Sequence, residues 1–310
     1  MKKLATIGFL LGLSSLFACA ADFDPGARVS SYRVLGQQAD VPFAKPGETV
    51  NISSLSYDPL GRSVTWAWGA CVNPEASTVQ GCLDKIEADA AASGSSPILA
   101  QGPELSHFSY TVPADTLASL PDDAKASAMI GILSIACPGD LSFEQGSNNL
   151  PFSCKEIGTG RVFALDEYIV GLKRIQVRAT DRNQNPQIAQ VTFDGADWPE
   201  GEVKQVIACD TDNNDYKPCA DDTRHQIAAR PTADSVESGR TEFGADFNEQ
   251  VIVEYYATEG VFEYEVKIAE EPETGWAARK AASGQDLTLW MVVHDDRGGA
   301  IWTQRHVHVQ

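Results

Sequence analysis

A chain of 310 residues with 43 Asp and Glu against 24 Lys and Arg carries a formal charge of −19. A surface this acidic repels nucleic acid and anionic lipid headgroups, which excludes both as general partners, while it stays soluble and compatible with divalent cations. At a soft prior of about 150 residues per domain, the length predicts two domains.

Lys2 and Lys3 precede an apolar run from Leu4 to Phe17. The run is shorter than the ~20 residues needed to span a bilayer and suits the hydrophobic region of a secretory signal. Leu16-Phe17-Ala18-Cys19 then resembles the lipobox of bacterial lipoproteins. That resemblance implies a thioether-linked diacylglycerol on Cys19, cleavage before it and acylation of the new amine. Two or more chains hold a protein stably, at about 0.8 kcal/mol per buried methylene. Ala20 follows the cysteine, and by the sorting rule of enteric lipoproteins this implies the outer membrane. An ordinary signal with Cys19 incidental is the alternative.

Residues 1–18 therefore read as a signal and 19–27 as a tether, with a first domain over 28–185 and a second over 186–310. So short a tether would place the first domain next to the lipid. Tyr32 and Val34 alternate with polar neighbours. Val50 and Ile52 alternate after Pro46-Gly47-Glu48-Thr49, and the phase shifts at Ser53-Ser54 to Leu55 and Tyr57, which reads as a bulge. Asp58-Pro59-Leu60-Gly61 is a turn, and Val64, Trp66 and Trp68 follow as a strand. Asp84 to Ala92 predicts one short helix. Pro121-Asp122-Asp123 predicts another helix start, and Ile130 to Ile135 a buried strand. Ile175, Val177 and Ala179 close the first half, and polar Asn183-Gln184-Asn185-Pro186 marks the boundary. Beyond it come Ile188, Val191, Phe193 and Val251-Ile252-Val253. Phe262, Tyr264, Val266 and Ile268, alternating with Glu263, Glu265 and Lys267, read as the cleanest half-buried strand. Leu287 to Val293 turns through Asp295-Asp296-Arg297-Gly298-Gly299 into Ile301 to Val309.

Seven cysteines are present, and assigning Cys19 to lipid leaves Cys71, Cys82, Cys137, Cys154, Cys209 and Cys219. An even number in an exported chain reads as a disulfide framework whose connectivity the count leaves open. The cysteines fall in three close pairs, so nearest-neighbour bridges are expected, each stabilising by about 3 kcal/mol in the chain-entropy model. None has the CxxC spacing of a redox or zinc site. The expected fold class is all-β, with two tandem Ig-like β-sandwich domains, disulfide-bounded loop insertions and short helices. Pro46 to Val50, with Asp58-Pro59 to Trp66, resembles the opening of bacterial Ig-like and PKD-like domains. Leu289 to Val309 resembles their closing hairpin. As a whole the chain resembles uncharacterised predicted lipoproteins of myxobacterial type; these motifs mark fold and not chemistry.

Asp210, Asp212 and Asn214 place oxygen ligands at alternate positions, with a Tyr216 carbonyl and the Asp221 carboxylate completing a set that suits Ca2+. Asp215 stands where a calcium loop turns on glycine, Asp221 is shorter than the usual glutamate, and no helices flank the loop. A Cys209–Cys219 bridge would clamp it instead. An Asp/Asn-rich surface turn is the competing reading. His306 and His308 share a strand face; zinc would need at least one more ligand, with His294 across the hairpin, and a strand edge with two solvated histidines is the competing reading. His107 and His225 stand alone. Trp66, Trp68, Tyr255, Tyr256, Trp290 and Trp302 would either pack the cores or line a sugar-stacking face. No G-x-S-x-G, H-E-x-x-H or phosphate-binding glycine loop occurs, and Glu270-Glu271 and Asp295-Asp296 are the chance pairs of an acidic chain.

The expected function is non-enzymatic: a lipid-anchored envelope protein that binds or scaffolds a protein partner in an outer-membrane or surface assembly, with no cofactor required. A carbohydrate- or peptidoglycan-binding module would instead display an aromatic row, and an envelope hydrolase would converge titratable groups in a pocket.

Overall fold

The computed structural model describes residues 26–94, 96, 98–143 and 152–310. Cys19, the signal-like segment and most of the tether lie outside the described residues. The protein is mostly β. Its strands are β1 (Arg33–Ala39), β2 (Phe43–Ala44), β3 (Thr49–Tyr57), β4 (Thr65–Val72), β5 (Ala100–Pro103), β6 (His107–Thr111), β7 (Met129–Cys137), β8 (Asp140–Phe143), β9 (Phe152–Lys155) and β10 (Ile169–Val177). After the linker come β11 (Ile188–Phe193), β12 (Ala196–Asp197), β13 (Val203–Val206), β14 (His225–Pro231), β15 (Ser238–Arg240) and β16 (Asp246–Asn248). The chain ends with β17 (Val251–Ala257), β18 (Val261–Phe262), β19 (Val266–Ile268), β20 (Thr274–Ala277), β21 (Asp286–Asp295) and β22 (Ala300–Val309). Among the described residues no helix is long and apolar enough to cross a membrane.

In the first half, sheets β1-β3-β6 and β2-β10-β7-β4-β5 share one core. Trp66 stacks on Trp68 at 5.6 Å and Trp68 on Phe108 at 5.4 Å, so alternation on β4 sends both indoles inward. Strand β7 is buried along its whole length because it lies between β10 and β4 with both faces covered, which is why its sequence shows no polar alternation. Helix α1 (Val79–Ser93) starts where the Thr78 hydroxyl accepts the Gly81 N–H and stops at left-handed Gly94, whose N–H reaches Ala90 O. Pro121 leads into a short 3-10 helix, Asp122–Ser127. In the second half, β12-β11-β14-β20-β18 and β13-β22-β21-β17-β19 share another core built on Trp198, Trp276, Tyr255 and Leu289.

Disulfides join Cys71 to Cys82, Cys137 to Cys154 and Cys209 to Cys219. The first fixes α1 to β4, and Gly131 on the neighbouring β7 leaves the space its sulfurs occupy. The second closes the β8–β9 ribbon, so the expected loop insertion carries a hairpin of its own. The third clips a loop against β20, where Gly275 leaves room for the Tyr216 ring.

Three expectations need correction. Strand β3 runs without a bulge; the register shift lies in its partner, between Val34 and Gly36. The phase change from Ile52 to Leu55 arises because the outer face of β3 is also covered: Leu55 and Tyr57 pack on the second half. Phe262 to Ile268 is not one half-buried strand. The chain leaves β18 in one sheet and joins the opposite sheet as β19, and crossing between facing sheets reverses which side points inward. Val266 and Ile268 accordingly face solvent, each 53% exposed. Finally, the described chain begins on the second half, not the first. Val29 N–H donates to Ala257 O and Ala257 N–H to Ala27 O, both at 2.9 Å, laying residues 27–29 along β17.

The boundary is tied down rather than free. The Glu242 carboxylate accepts the Ala179, Thr180 and Asp181 N–H groups and the Thr180 hydroxyl at 2.6–3.1 Å. Burial by itself would raise its pKa, but these four bonds outweigh that and bring it down to about 2. A carboxyl depressed in the folded state contributes stability that is present above its unfolded value and lost as pH falls from about 4.5 to about 2. Glu242→Gln is expected to cost about 1–2 kcal/mol at pH 7, as a charge-assisted cap does. The gap to the parent should close towards pH 2 in urea melts; a gap of constant size would count against the cap.

Candidate functional site

The two halves meet through an apolar layer and a polar cleft. In the layer, Leu35, Leu55 and Tyr57 of the first half cover Trp290, Val292, Tyr256 and Trp302 of the second, with Val29 alongside. The Tyr57 and Trp290 rings lie 4.9 Å apart. Gly36 lets the Trp302 ring lie against β1, since a Cβ there would already stand 3.4 Å from it. At the rim, Gln38 donates to Ala300 O, Asn185 accepts the Ala300 N–H and donates to Ala39 O, and buried Asn183 donates to Asp295. The boundary peptide thus bonds to both halves.

Beside this layer a cleft of about 700 Å³ opens, walled by β2, β10 and the start of β7 from the first half and by the β21–β22 turn from the second. Four cations stand at its wall. The Lys173 ammonium donates to Gln37 O at 3.0 Å and to Gly298 O at 2.7 Å. Arg174 donates twice to Ser77 O, and Arg178 donates to Ala126 O, Ala128 O, Val177 O and the Gln176 side chain. Arg297 donates to Glu249 at 2.9 Å. Its guanidinium lies 3.8 Å from the centre of the Phe247 ring and 4.7 Å from that of Phe43, while Arg178 covers Phe43 and Phe243 at 5.4 and 5.5 Å. The result is a ladder, Phe247–Arg297–Phe43–Arg178–Phe243, with rungs from both halves. Burial lowers the Lys173 pKa to about 8 and lowers that of Arg178. Asp295 is buried and accepts the Arg297 and Gly299 N–H groups.

The residues singled out for calcium run along one loop, 210–221, and most of their oxygens have partners within the protein. Asp210 meets Lys280, Asp212 accepts the Ala281 N–H at 2.7 Å, and its carbonyl accepts from Arg279. Asn214 Oδ1 accepts from Arg28 and Arg279. The Tyr216 ring is buried with the Cys209–Cys219 bridge, and Asp221 pairs with Arg224. Among the described residues no three His, Cys, Asp or Glu side chains cluster at metal-holding distance. Several of the loop's oxygens answer protein cations, and they dock Arg28, next to residue 27, which is buried here. His306 and His308 each have a cross-strand partner, Thr288 and Asp286, and His294 pairs with Glu254. His107 meets Ser53 and His225 meets Asp194. The six aromatic candidates lie in the two cores or the interlayer, so they form no exposed row.

The cleft was missed from the sequence, although one signal stood in plain view. Lys173, Arg174, Arg178 and Arg182 fall within ten positions of a chain charged −19. Arg297, arriving from the far hairpin, had no such sign.

No family model and no curated protein matches this chain. Weak structural similarity extends to dimeric latent PorU from Porphyromonas gingivalis, at 12% identity and TM-score 0.21, over 90% of this chain and 24% of that one. It extends also to apo beta-glucuronidase 3 of Bacteroides uniformis, at 8% identity and TM-score 0.20, over 87% of this chain and 24% of that one. The chain spans about a quarter of the length of each.

Proposed function

We propose that the chain is a non-enzymatic binding protein of the cell envelope, held by lipid on Cys19 to the outer membrane and built as two tandem Ig-like sandwiches of the kind in predicted myxobacterial lipoproteins. The observation that carries the binding role is the junction cleft, of about 700 Å³ and walled by both halves, a size and position usual for ligand sites. The interlayer around Trp290 supports a scaffold that presents this cleft rigidly. Docking of residues 27–29 on β17 supports an orientation with the second half towards the membrane, because a tether from Cys19 to Gly26 reaches at most about 25 Å when extended. Cys19→Ser in the full chain is expected to move the protein from the membrane to the soluble fraction; unchanged fractionation would refute the anchor. A photo-crosslinking residue at Ser127, on the cleft wall, should yield a discrete adduct with an envelope component, and the same residue at exposed Thr159 none. Equal labelling from both positions would refute the cleft as the binding element.

A further inference from the structure

Lys173, Arg174 and Arg178 are unusual among the cations of this protein. Most others lie within 4 Å of a carboxylate, as Arg161 does with Glu167 and Arg62 with Asp58. These three, on β10 or just past its end, make no such pair among the described residues and bond to backbone carbonyls and one amide. A carbonyl satisfies an N–H but does not cancel a charge, so none of the three is neutralised at contact distance; Asp295 acts on Lys173, and Glu242 and Asp181 on Arg178, only from further off. Each head group is placed there by its acceptor: Gly298, Ser77 and Ala126 all line the cleft. Lys173 uses two of its three donors and Arg174 two of its five, which leaves donors for a ligand. Of the lining carboxylates, buried Asp295 is committed to N–H groups of its own turn, and Asp296 accepts the Gln250 N–H. Phe43, Met129 and Leu172 supply apolar wall, and Ser77 and Ser127 hydroxyls.

We propose that the junction cleft is a binding site for a small polyanion, a molecule carrying at least two phosphate or carboxylate groups. This rests on the reading of the chain as a binding protein and names its ligand class. In a body charged −19, a cleft with three cations in no contact ion pair, Arg297 being matched by Glu249, against two carboxylates selects for negative charge locally while the remaining surface repels large polyanions such as nucleic acid.

The test is calorimetric titration of the purified full chain carrying Cys19→Ser with pyrophosphate, with citrate and with glucose. Saturable binding of pyrophosphate or citrate, weakened by added NaCl, with no glucose binding, is expected. Pyrophosphate alone would assign a phosphate-bearing ligand and citrate alone a carboxylate-bearing one. Lys173→Met and Arg174→Gln should each lower affinity at least about tenfold; Arg161→Gln should leave it unchanged. Arg174 is exposed, so its variant keeps the fold should Lys173→Met disturb it. No binding of either anion up to about 10 mM, where a native-state ligand would also raise the melting point, would overturn the proposal. Equal binding by Arg174→Gln and Arg161→Gln would overturn it as well. A Ser127 crosslink to an envelope component without anion binding would overturn the polyanion and spare the binding role; loss of that crosslink with anion binding intact would do the reverse.

Discussion

Trp290→Ala is expected to cost about 3–5 kcal/mol and to split one unfolding transition into two. Trp290 is 3% exposed although it points away from its own core, because the first half covers it. Deleting the indole removes the Tyr57 contact and opens a void beside Leu35 and Val292 that two packed sheets cannot close. The core of the second half, built on Leu289 and Met291 of the same strand, is untouched, so each half should melt separately. Calorimetry reads this directly; a single cooperative transition at the parent temperature would show that the interlayer does not couple the halves.

Arg297→Met should be as costly, about 3–5 kcal/mol, for an electrostatic reason. The Glu249 side chain is 1% exposed and Arg297 is its partner at 2.9 Å. Burial already raises the Glu249 pKa, with a bond from the Glu237 N–H acting against it. Without the guanidinium the carboxylate is left buried and uncompensated, and the Phe43 and Phe247 stacking is lost as well. A carboxyl raised in the folded state binds more protons folded than unfolded, so the deficit should grow as pH rises above the ordinary carboxylate value and shrink in acid. The double variant Arg297→Met, Glu249→Gln should recover a large part of the loss. A pH-independent deficit, or no recovery, would mean that the pair is dispensable.

Much of the local architecture was legible. Asp84 to Ala92 reads as a short helix, and the structure has α1 there, begun a turn earlier at Val79 behind the Thr78 cap. The unbroken apolar run before Cys137 is β7, and the alternation of Trp66 and Trp68 places both in a core. What failed did so where segments distant in sequence meet. Leu55 and Tyr57 looked like a slipped phase because the alternation rule assumes one dry face, and β3 has two. Val266 and Ile268 looked inward because nothing local announces that a strand changes sheets. Nor does anything local announce that Arg28, Arg279 and Lys280 reach the oxygens of the candidate calcium loop from elsewhere in the chain.

The sequence by itself determined the β class, most strand periods, the presence of one short helix and the cysteine pairs close enough to meet across short loops, because each depends on neighbours a few positions apart. Only the tertiary structure decided that Trp290 and Trp302 are interlayer rather than surface, that residues 27–29 rest on the second half, and that Lys173, Arg174, Arg178 and Arg297 share one cleft. Those outcomes depend on which faces two separately folded layers turn towards each other, and charge and burial at such a junction are set by residues more than a hundred positions apart, as Lys173 and Gly298 are.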